Sequence, residues 1–567
     1  MKKYIAVMCA ASVLAACSDW DDHYDANPAD TGRATESLWQ SIKANPELSD
    51  FASLAEKAGY DTLLSSSQAL TVWAPVNGSF DVKELQKYDK ERLAKEFMEN
   101  HIARNNYTIA GDFSLDVRLL NSKMKTFSNV GGKCTMGDLP VSKSNQPGTN
   151  GVLHLLNGQL SFFPNVYETL TNANGPIDSI SDYIHAYDAF ELDLQKSTPG
   201  SVVDGELTYI DSVLIQSNPL LYGYDADLFR EDSSYTMIVP TNEAWIKAKD
   251  KIETYYNYAS GDVLYRDYSK ATDGRDDEFE ERVANFTKDE AEKMRDSLIH
   301  KSLMRDLFYN NKYERNGKVF GKNYKAGTLT NNDSVCSTTR SIIYGADIDA
   351  LLENSTYLER SNGNAYIVDS LRMRPWTSWC PVVNADFGHV SVTPCKCTGR
   401  RIGLSGAGIN LSYGDYYEYS PDGNTSQPVL FLNLDGIRST TYAIYLIFVP
   451  DYFVPEEERQ SNFVDVTISY FDGTKTRTKK ESGLTNDVSR IDTVKVMDFT
   501  FPYSYAELGF GPTIKIASNI KTRDRDKYDR TLRIDKVMLV PKELDDYMTE
   551  HPDYKPGLDA VNAYNRN

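Results

Sequence analysis

Two stretches of the 567-residue chain are nearly the same: TVWAPVNGSF at 71–80 and TMIVPTNEAW at 236–245. Each begins with a short run of β-favouring residues that ends at a proline, Pro75 or Pro240. Repetition of a strand-and-turn signature at this separation predicts two copies of one domain. This feature constrains the fold more than the length, which alone suggests three or four domains.

The residues after each proline predict the start of a helix. Asn77 and Asn242 are suited to cap a helix that follows them, because a side-chain oxygen can accept from a free amide of the first turn. The aromatic residues Phe80 and Trp245 are then expected to fold back onto the core.

Helical patterns recur around both stretches. Residues 36–60 predict two short helices, and two amphipathic helices are predicted around His101 and His300. The second copy is longer, and a Tyr-rich, highly charged insertion is expected at about 250–287.

These motifs resemble the conserved boxes of fasciclin domains. TVWAPVNGSF, with Thr71, is similar to the first box, ENHI at 99–102 to the helix-histidine motif, and NGVLHLLNGQL, with His154, to the second box. Val76 and Asn157 depart from the usual Thr and Asp.

The second copy resembles the family less closely. It keeps Pro240-Thr241-Asn242, but Val239 replaces Ala and Ile367 stands near the position of the box histidine. The resemblance implies α+β fasciclin-like domains at 36–163 and 164–376, each a small β-wedge flanked by helices. It also implies adhesion or protein interaction outside the cell, with the box histidines buried and structural.

Residues 377–545 differ from both copies. Alternating or buried strands, separated by turn residues, are predicted for the segments 442–452, 463–473, 493–501, 513–519 and 532–541. They predict an all-β sandwich of jelly-roll type, and LRIDKVMLVP resembles the last strand of galactose-binding-like jelly rolls. A loose polar tail is expected at 546–567.

The N-terminus predicts export and lipidation. Lys2 and Lys3 precede a short apolar run that fits a signal peptide at 1–17. Leu14-Ala15-Ala16-Cys17 resembles a bacterial lipobox, with Cys17 as the lipidated residue. The acidic tether at 18–35 resembles the signal that sends Bacteroidota lipoproteins to the outer face of the outer membrane.

The chain shows no common catalytic signature. It lacks a GxSxG elbow, a P-loop, an HExxH helix and an EF-hand loop. We therefore expect no enzymatic activity, no cofactor and no metal. A net charge of −20 argues against nucleic acid as a partner, because phosphate binding needs clustered Lys and Arg.

Aromatic side chains are the candidate ligand-binding residues, because flat rings stack on sugars and anchor protein interfaces. They fall in the insertion, at the domain junction and in the β-rich region: Tyr255, Tyr256, Trp376, Trp379, Tyr416, Tyr417 and Tyr419. Packing in cores or along strands is the alternative for these rings.

Five cysteines remain after Cys9 and Cys17, so at least one is unpaired within the chain. Cys380 is expected to bridge to Cys395 or Cys397 across neighbouring strands.

Two functional hypotheses follow. The first is a non-catalytic, lipid-anchored surface protein that binds a protein partner through its fasciclin-like pair, in one version as an accessory subunit of a SusC/SusD-type nutrient importer. The second is a glycan-binding lipoprotein that uses its C-terminal β-sandwich.

Overall fold

A computed structural model describes residues 34–171, 175–195, 197–203, 206–211, 213–312, 333–404, 409 and 411–554. Cys17, its signal segment, most of the predicted tether and the end of the predicted tail lie outside these residues. Two compact units are present: one holds the residues up to Phe163 together with Glu191–Ile215, and the other holds Pro164–Phe190 together with the residues from Gln216 onward. Within the described part of the chain, no helix has both the length and the apolar character needed to cross a membrane.

The first unit begins with a seven-stranded sheet and its helices. The helices are α1 (Leu38–Ala44), α2 (Ser49–Ala58), α3 (Asp61–Ser65), α4 (Val82–Leu85) and α5 (Lys90–Leu93). The strands are β1 (Leu70–Pro75), β2 (Ile102–Arg104), β3 (Phe113–Arg118), β4 (Met124–Val130), β5 (Lys133–Met136), β6 (Leu139–Gly148) and β7 (Gly151–Leu156). Their order across the sheet is β2-β1-β7-β6-β5-β4-β3.

A parallel pair, β1 with β7, forms the centre of this sheet. Leu70 lies opposite Gly151, and Pro75 lies opposite Leu156. Every residue of both strands is buried. Because both faces are covered, the apolar side chains run continuously instead of alternating with polar ones.

The two faces of the sheet contribute to separate hydrophobic clusters. On the face covered by helices, Val72 packs in a cluster with Phe51 and Phe97. On the other face, Trp73 packs in a cluster with Phe127.

A small β-arm also belongs to the first unit, and we call residues 191–215 the arm. The two-stranded sheets there pair β8 with β11 and β9 with β10. These strands are β8 (Ala189–Leu192), β9 (Thr198–Val203), β10 (Glu206–Asp211) and β11 (Leu214–Ser217).

The second unit begins with the second copy of the repeat. Its helices are α6 (Asp178–His185), α7 (Pro219–Gly223), α8 (Asn242–Glu253), α9 (Lys288–Met304) and α10 (Gly345–Leu352). Its strands are β12 (Tyr235–Pro240), β13 (Gly261–Asp267), β14 (Glu280–Phe286), β15 (Phe308–Asn310), β16 (Ser334–Cys336), β17 (Ile342–Tyr344), β18 (Thr356–Arg360) and β19 (Gly363–Val368).

The centre of the second copy repeats that of the first. Strand β12 runs parallel to β19, with Tyr235 opposite Gly363 and Pro240 opposite Val368. Strand β15 pairs antiparallel with β12, as β2 does with β1. The two ten-residue stretches therefore occupy equivalent positions in two similar cores.

The second copy carries two insertions. The predicted one contains the hairpin β13–β14, which lies between α8 and α9. The other runs from the end of α6 to the start of α7 and includes the arm; in the first copy, α2 continues without such a break to Ala58, and Gly59 leads directly to Tyr60. The second insertion was not predicted from the sequence.

Two antiparallel sheets form the C-terminal part of the second unit. Their strands are β20 (Val383–Asp386), β21 (Val392–Cys395), β22 (Cys397–Gly403), β23 (Asp415–Pro421), β24 (Val429–Asn433), β25 (Thr441–Phe448), β26 (Val464–Phe471), β27 (Thr476–Leu484), β28 (Asp492–Thr500), β29 (Thr513–Ser518) and β30 (Leu532–Pro541). One sheet has the order β22-β23-β30-β25-β28 with β20 also paired to β30, and the other has the order β21-β24-β29-β26-β27. All five predicted strand segments form strands.

Both sheets contribute to one core, in which Ile444 and Leu532 of the first sheet join Ile468 and Ile514 of the second. Helix α11 (Lys542–Glu550) follows β30 and continues past the predicted start of the tail at 546. Its Tyr547 packs against Trp376, with ring centroids 5.5 Å apart.

Candidate functional site

The first-box residues hold the first copy together. Thr71 donates its hydroxyl to the Asn105 carbonyl at 2.7 Å and accepts from the Tyr107 amide at 2.9 Å. The chain that leaves β2 is thereby tied back to β1. Pro75 is the last residue of β1, and the Phe80 ring stacks on Phe97 at 5.6 Å.

Asn77 caps the helix before it, not the helix after it as predicted. Its Oδ1 accepts from the Asp50 amide in the first turn of α2 at 3.0 Å, and its Nδ2 donates to the Pro46 carbonyl at 2.8 Å. Its own amide donates to the Glu47 carbonyl at 2.8 Å. The following helix, α4, is capped instead by Asp81.

Asn242 makes the same set of bonds in the second copy. Its Oδ1 accepts from the Ser179 amide in α6 at 2.8 Å, its Nδ2 donates to the Gly175 carbonyl at 3.1 Å, and its amide donates to the Pro176 carbonyl at 2.7 Å. Both asparagines are therefore tertiary caps that join a distant helix to the turn after the central strand.

The residue before each asparagine explains why the two turns continue differently. Thr241 caps α8, because its hydroxyl accepts from the Ala244 amide at 3.3 Å. Val76 stands at the equivalent place, and its side chain has no oxygen that could accept a hydrogen bond. In the first copy, α4 therefore begins only at Val82. Trp245 is buried in α8, in the position that Phe80 has in the first copy.

The two histidines of the first copy are structural. His101 is fully buried, with Nδ1 2.7 Å from the Phe97 carbonyl and Nε2 accepting from the Leu160 amide at 3.0 Å. Burial lowers the pKa of His101 to about 4. His154 stacks on Trp73 at 5.8 Å, and burial lowers its pKa as well. Both rings are neutral at pH 7.

His300 is not the equivalent of His101. The pairing of β2 and β15 with the central strands aligns Ile102 with Phe308, which places Leu307 where His101 stands. His300 lies on α9, with Nδ1 2.8 Å from the Asp296 carbonyl, and stacks on Tyr183 at 4.6 Å. The same register places Tyr366, not Ile367, at the position equivalent to His154.

Sequence reasoning missed one structural residue in each copy. Asn150 accepts from the Leu38 amide at 2.8 Å and donates to the Leu64 carbonyl at 3.0 Å. Asn362 accepts from the Val166 amide at 2.8 Å and donates to the Leu228 carbonyl at 2.9 Å. The signal was available, because an Asn-Gly pair begins both second boxes.

The candidate aromatic residues do not form an exposed platform, which corrects the expectation of a ligand-binding surface. Tyr417 is partly buried, and the other six are buried: Tyr255, Tyr256, Trp376, Trp379, Tyr416 and Tyr419.

The tyrosines of the insertion bind other parts of the second unit instead of a ligand. Tyr255 donates to Glu543 of α11 at 2.6 Å. Tyr256 lies 3.0 Å from the Ser302 hydroxyl and donates to the Trp379 carbonyl at 3.3 Å. The contacts with Glu543 and Trp379 tie the second copy to helix α11 and to the segment that precedes β20.

The predicted disulfide is not present. Cys380, Cys395 and Cys397 are free and buried. Cys380 lies in the core, with its Sγ 3.7 Å from the Tyr442 hydroxyl. Burial raises the pKa of Cys380 to about 11 and that of Cys397 to about 12, so these thiols stay protonated at neutral pH.

The arm carries the highest concentration of exposed apolar side chains in the described first unit. Leu194, Val202, Leu207, Leu214 and Ile215 are 69%, 66%, 49%, 57% and 50% exposed. Val202 and Leu207 are direct partners across β9 and β10, so their side chains lie on one face of the hairpin. Contiguous exposed apolar patches are typical of protein interaction sites.

A comparison with protein families identifies the first copy. The model of the fasciclin domain matches residues 46–161. Residues 46–161 form a fasciclin domain. The box residues from Thr71 to His154 lie inside this match, and fasciclin domains typically act in adhesion or protein interaction.

Several solved structures are similar to parts of the chain. A FAS1 domain pair from the insect cell adhesion molecule fasciclin I is 12% identical over 60% of this chain and 97% of that chain, with a TM-score of 0.19. The CBM22-1–GH10 modules of xylanase 10B from Clostridium thermocellum are 10% identical, with a TM-score of 0.20, and the match spans 28% of this chain and 28% of that one. The CBM22 tandem of Paenibacillus barcinonensis Xyn10C is 14% identical over 28% of this chain and 48% of that chain, with a TM-score of 0.19. The comparison with curated proteins gives no match.

Proposed function

We propose that this protein is a non-catalytic, lipid-anchored protein of the outer membrane that faces the cell exterior and binds another protein there. In this proposal the second copy is also a fasciclin-like domain, and the two C-terminal sheets are a β-sandwich. A subunit that accompanies a SusC/SusD-type importer is the concrete version. The fasciclin domain at 46–161 supports an interaction function, and the lipobox at Cys17 supports the anchor.

The apolar surface of the arm carries the proposal. Its hairpin presents Val202 and Leu207 on one face, and among the described residues each of its sheets has two strands. A two-stranded sheet leaves the outer edge of each strand open to further pairing. The arm therefore offers a partner both apolar contacts and backbone hydrogen bonds, which is how β-strand addition works.

A pull-down from outer membranes in mild detergent tests this proposal. The tagged native protein is expected to recover an importer and its lipoprotein lid in stoichiometric amounts. Val202→Lys combined with Leu207→Lys should reduce recovery at least tenfold, because each lysine would carry a charge into the apolar contact. Val130→Lys is the matched control, since Val130 is 60% exposed on a strand outside the arm.

Full recovery of the same partner by the arm variant would overturn the role of the arm. Cys17→Ala tests the anchor separately. It is expected to leave the protein soluble or unprocessed, and retention of a processed form in the outer membrane would contradict the lipidation.

A further inference from the structure

A cavity of about 730 Å³ lies within the second unit. Helices α6, α7 and α9, the turn at 339–342 and the connector at 376–381 form its walls. This volume is in the range of small-molecule binding sites.

One wall of the cavity is aromatic. Tyr183, Tyr187 and Tyr224 line it, and the rings of Tyr183 and Tyr187 lie 5.7 Å apart at 67°. The Tyr183 ring is held in place by stacking on His300. Burial raises the pKa of Tyr183 well above its ordinary value and that of Tyr224 to about 12. The Tyr183 and Tyr224 phenols are therefore neutral at pH 7.

The same cavity is also lined by cationic side chains. Lys301, Arg305 and Arg340 line it, and no carboxylate is among the described residues that do so. Arg305 is positioned by the Ser341 hydroxyl, which accepts from its Nε at 3.2 Å. Lys301 forms an exposed ion pair with Glu507 outside the cavity at 3.1 Å. Three cations in one cavity stand out on a chain with a net charge of −20.

The first copy has the opposite charge at the equivalent place. Tyr60 and Tyr224 are equivalent residues. Tyr60 stands four residues before Leu64, whose carbonyl binds Asn150, and Tyr224 stands four residues before Leu228, whose carbonyl binds Asn362. Tyr60 donates to Glu99 at 2.6 Å. The strand register places Arg305 where Glu99 stands. The second copy therefore has a guanidinium where the first copy has a carboxylate that accepts a hydrogen bond from a tyrosine.

We propose that this cavity binds an anionic oligosaccharide, a sugar chain that carries carboxylates or sulfates. The tyrosine faces would stack on sugar rings, and the cations would bind the anionic groups through charge-assisted hydrogen bonds. Five serine and threonine side chains in the lining, including those of Ser297 and Thr377, match the hydroxyls of a sugar. The site is distinct from the C-terminal sheets.

Titration calorimetry of the full chain tests the proposal with three hexasaccharides: a heparin fragment, an oligogalacturonate and a neutral cello-oligosaccharide. At least one anionic chain is expected to bind, and the neutral chain at least tenfold more weakly. Comparison of the heparin fragment with the oligogalacturonate shows whether the cavity prefers sulfate or carboxylate groups.

Variants on the exposed rim of the cavity show where binding occurs. Lys301→Gln and Tyr187→Ala are each expected to weaken binding about five- to tenfold, through the loss of a charged hydrogen bond or a stacking face. Tyr187→Phe keeps the ring and should retain most of the affinity. Lys293→Gln is the matched control, since Lys293 lies on α9 but does not line the cavity.

Three results would overturn the proposal: no binding of either anionic chain at millimolar concentration, equal binding of the neutral chain, or the same weakening by Lys293→Gln as by Lys301→Gln. Melting curves of each variant confirm that the fold is kept. This test is independent of the arm, so the two proposals fail separately.

Discussion

The first copy and the second copy share a central frame but differ in what that frame carries. Both have a parallel strand pair in the same register, a tertiary asparagine cap and an Asn-Gly start to the second strand. The first copy is a compact fasciclin domain. The second carries two insertions and a cationic cavity. The comparison teaches that residues which repeat hold the frame, whereas residues which differ are the ones to examine for binding.

The largest expected effect comes from the glycines at the start of the second box. A Cβ at Gly151 would lie 1.9 Å from the Leu70 carbonyl oxygen, and one at Gly363 would lie 1.9 Å from that of Tyr235, with φ values of +154° and +143°. Gly151→Ala and Gly363→Ala should each destabilise their copy by about 3–5 kcal/mol, because the central strand pair must separate. Calorimetric melting measures this.

Gly223→Ala is the control for this pair, because Gly223 ends α7 with open space around its Cα. Its melting temperature should hardly change. If Gly363→Ala were as harmless as Gly223→Ala, the second copy would not share the frame of the first.

The pH dependence of stability should differ between the copies. The folded pKa of His101 is about 4, below its ordinary value of about 6.5, so the unfolded chain binds more protons between these values. Stability from His101 is therefore complete above about pH 6.5 and is lost as the pH falls towards 4. We expect the first copy to lose about 2 kcal/mol between pH 7 and pH 5, as measured by urea unfolding at both values.

The second unit contains a group whose effect on the pH dependence of stability has the opposite sign. Burial raises the pKa of Asp535 in β30 to about 6. Its contribution to stability is complete below about pH 4 and is lost as the pH rises through about 6. If the free energy of unfolding of the second unit fell as much as that of the first between pH 7 and pH 5, then Leu307 would not be the equivalent of His101.

The asparagine caps should have equal effects in both copies. Asn77→Ala and Asn242→Ala are each expected to cost about 1–2 kcal/mol through the loss of a helix cap and its donors. Asn77→Asp and Asn242→Asp keep the accepting oxygen and should cost less. Chemical denaturation that showed a cost in one copy alone would break the equivalence of the two turns.

The smallest effect should distinguish the turns themselves. Thr241→Val removes the cap of α8 and should cost about 1 kcal/mol, while Val76→Thr should change stability by less than about 0.5 kcal/mol. The difference between the two melting shifts is the quantity to measure. A gain from Val76→Thr as large as the loss from Thr241→Val would mean that the turns differ for another reason.

Much of the frame could be predicted from the sequence, because it depends on local signals. The prolines that end the central strands and the continuous apolar runs predicted β1 and β12. The partner of Asn77 could not be predicted, since it lies 27 residues earlier in the chain. His300 was matched to His101 by its letter and its helix, whereas the register of β15 selects Leu307.

The binding surfaces depend on packing and were harder to predict. Tyr255 and Tyr256 lie in a Tyr-rich insertion that has the composition of a recognition loop, but their hydroxyls are bound by groups distant in the sequence. The exposure of the arm follows from its small two-stranded sheets. The cavity joins residues from α6 to the connector at 376–381, which no sequence motif links.

Photo-crosslinking in intact cells tests the central claim most directly: that the arm binds a protein at the cell surface. A photoreactive amino acid is placed at Val202 in the arm or at Val130, which has similar exposure. The account predicts an adduct with one outer-membrane protein from position 202 and none from position 130. An adduct from position 130 alone would contradict it.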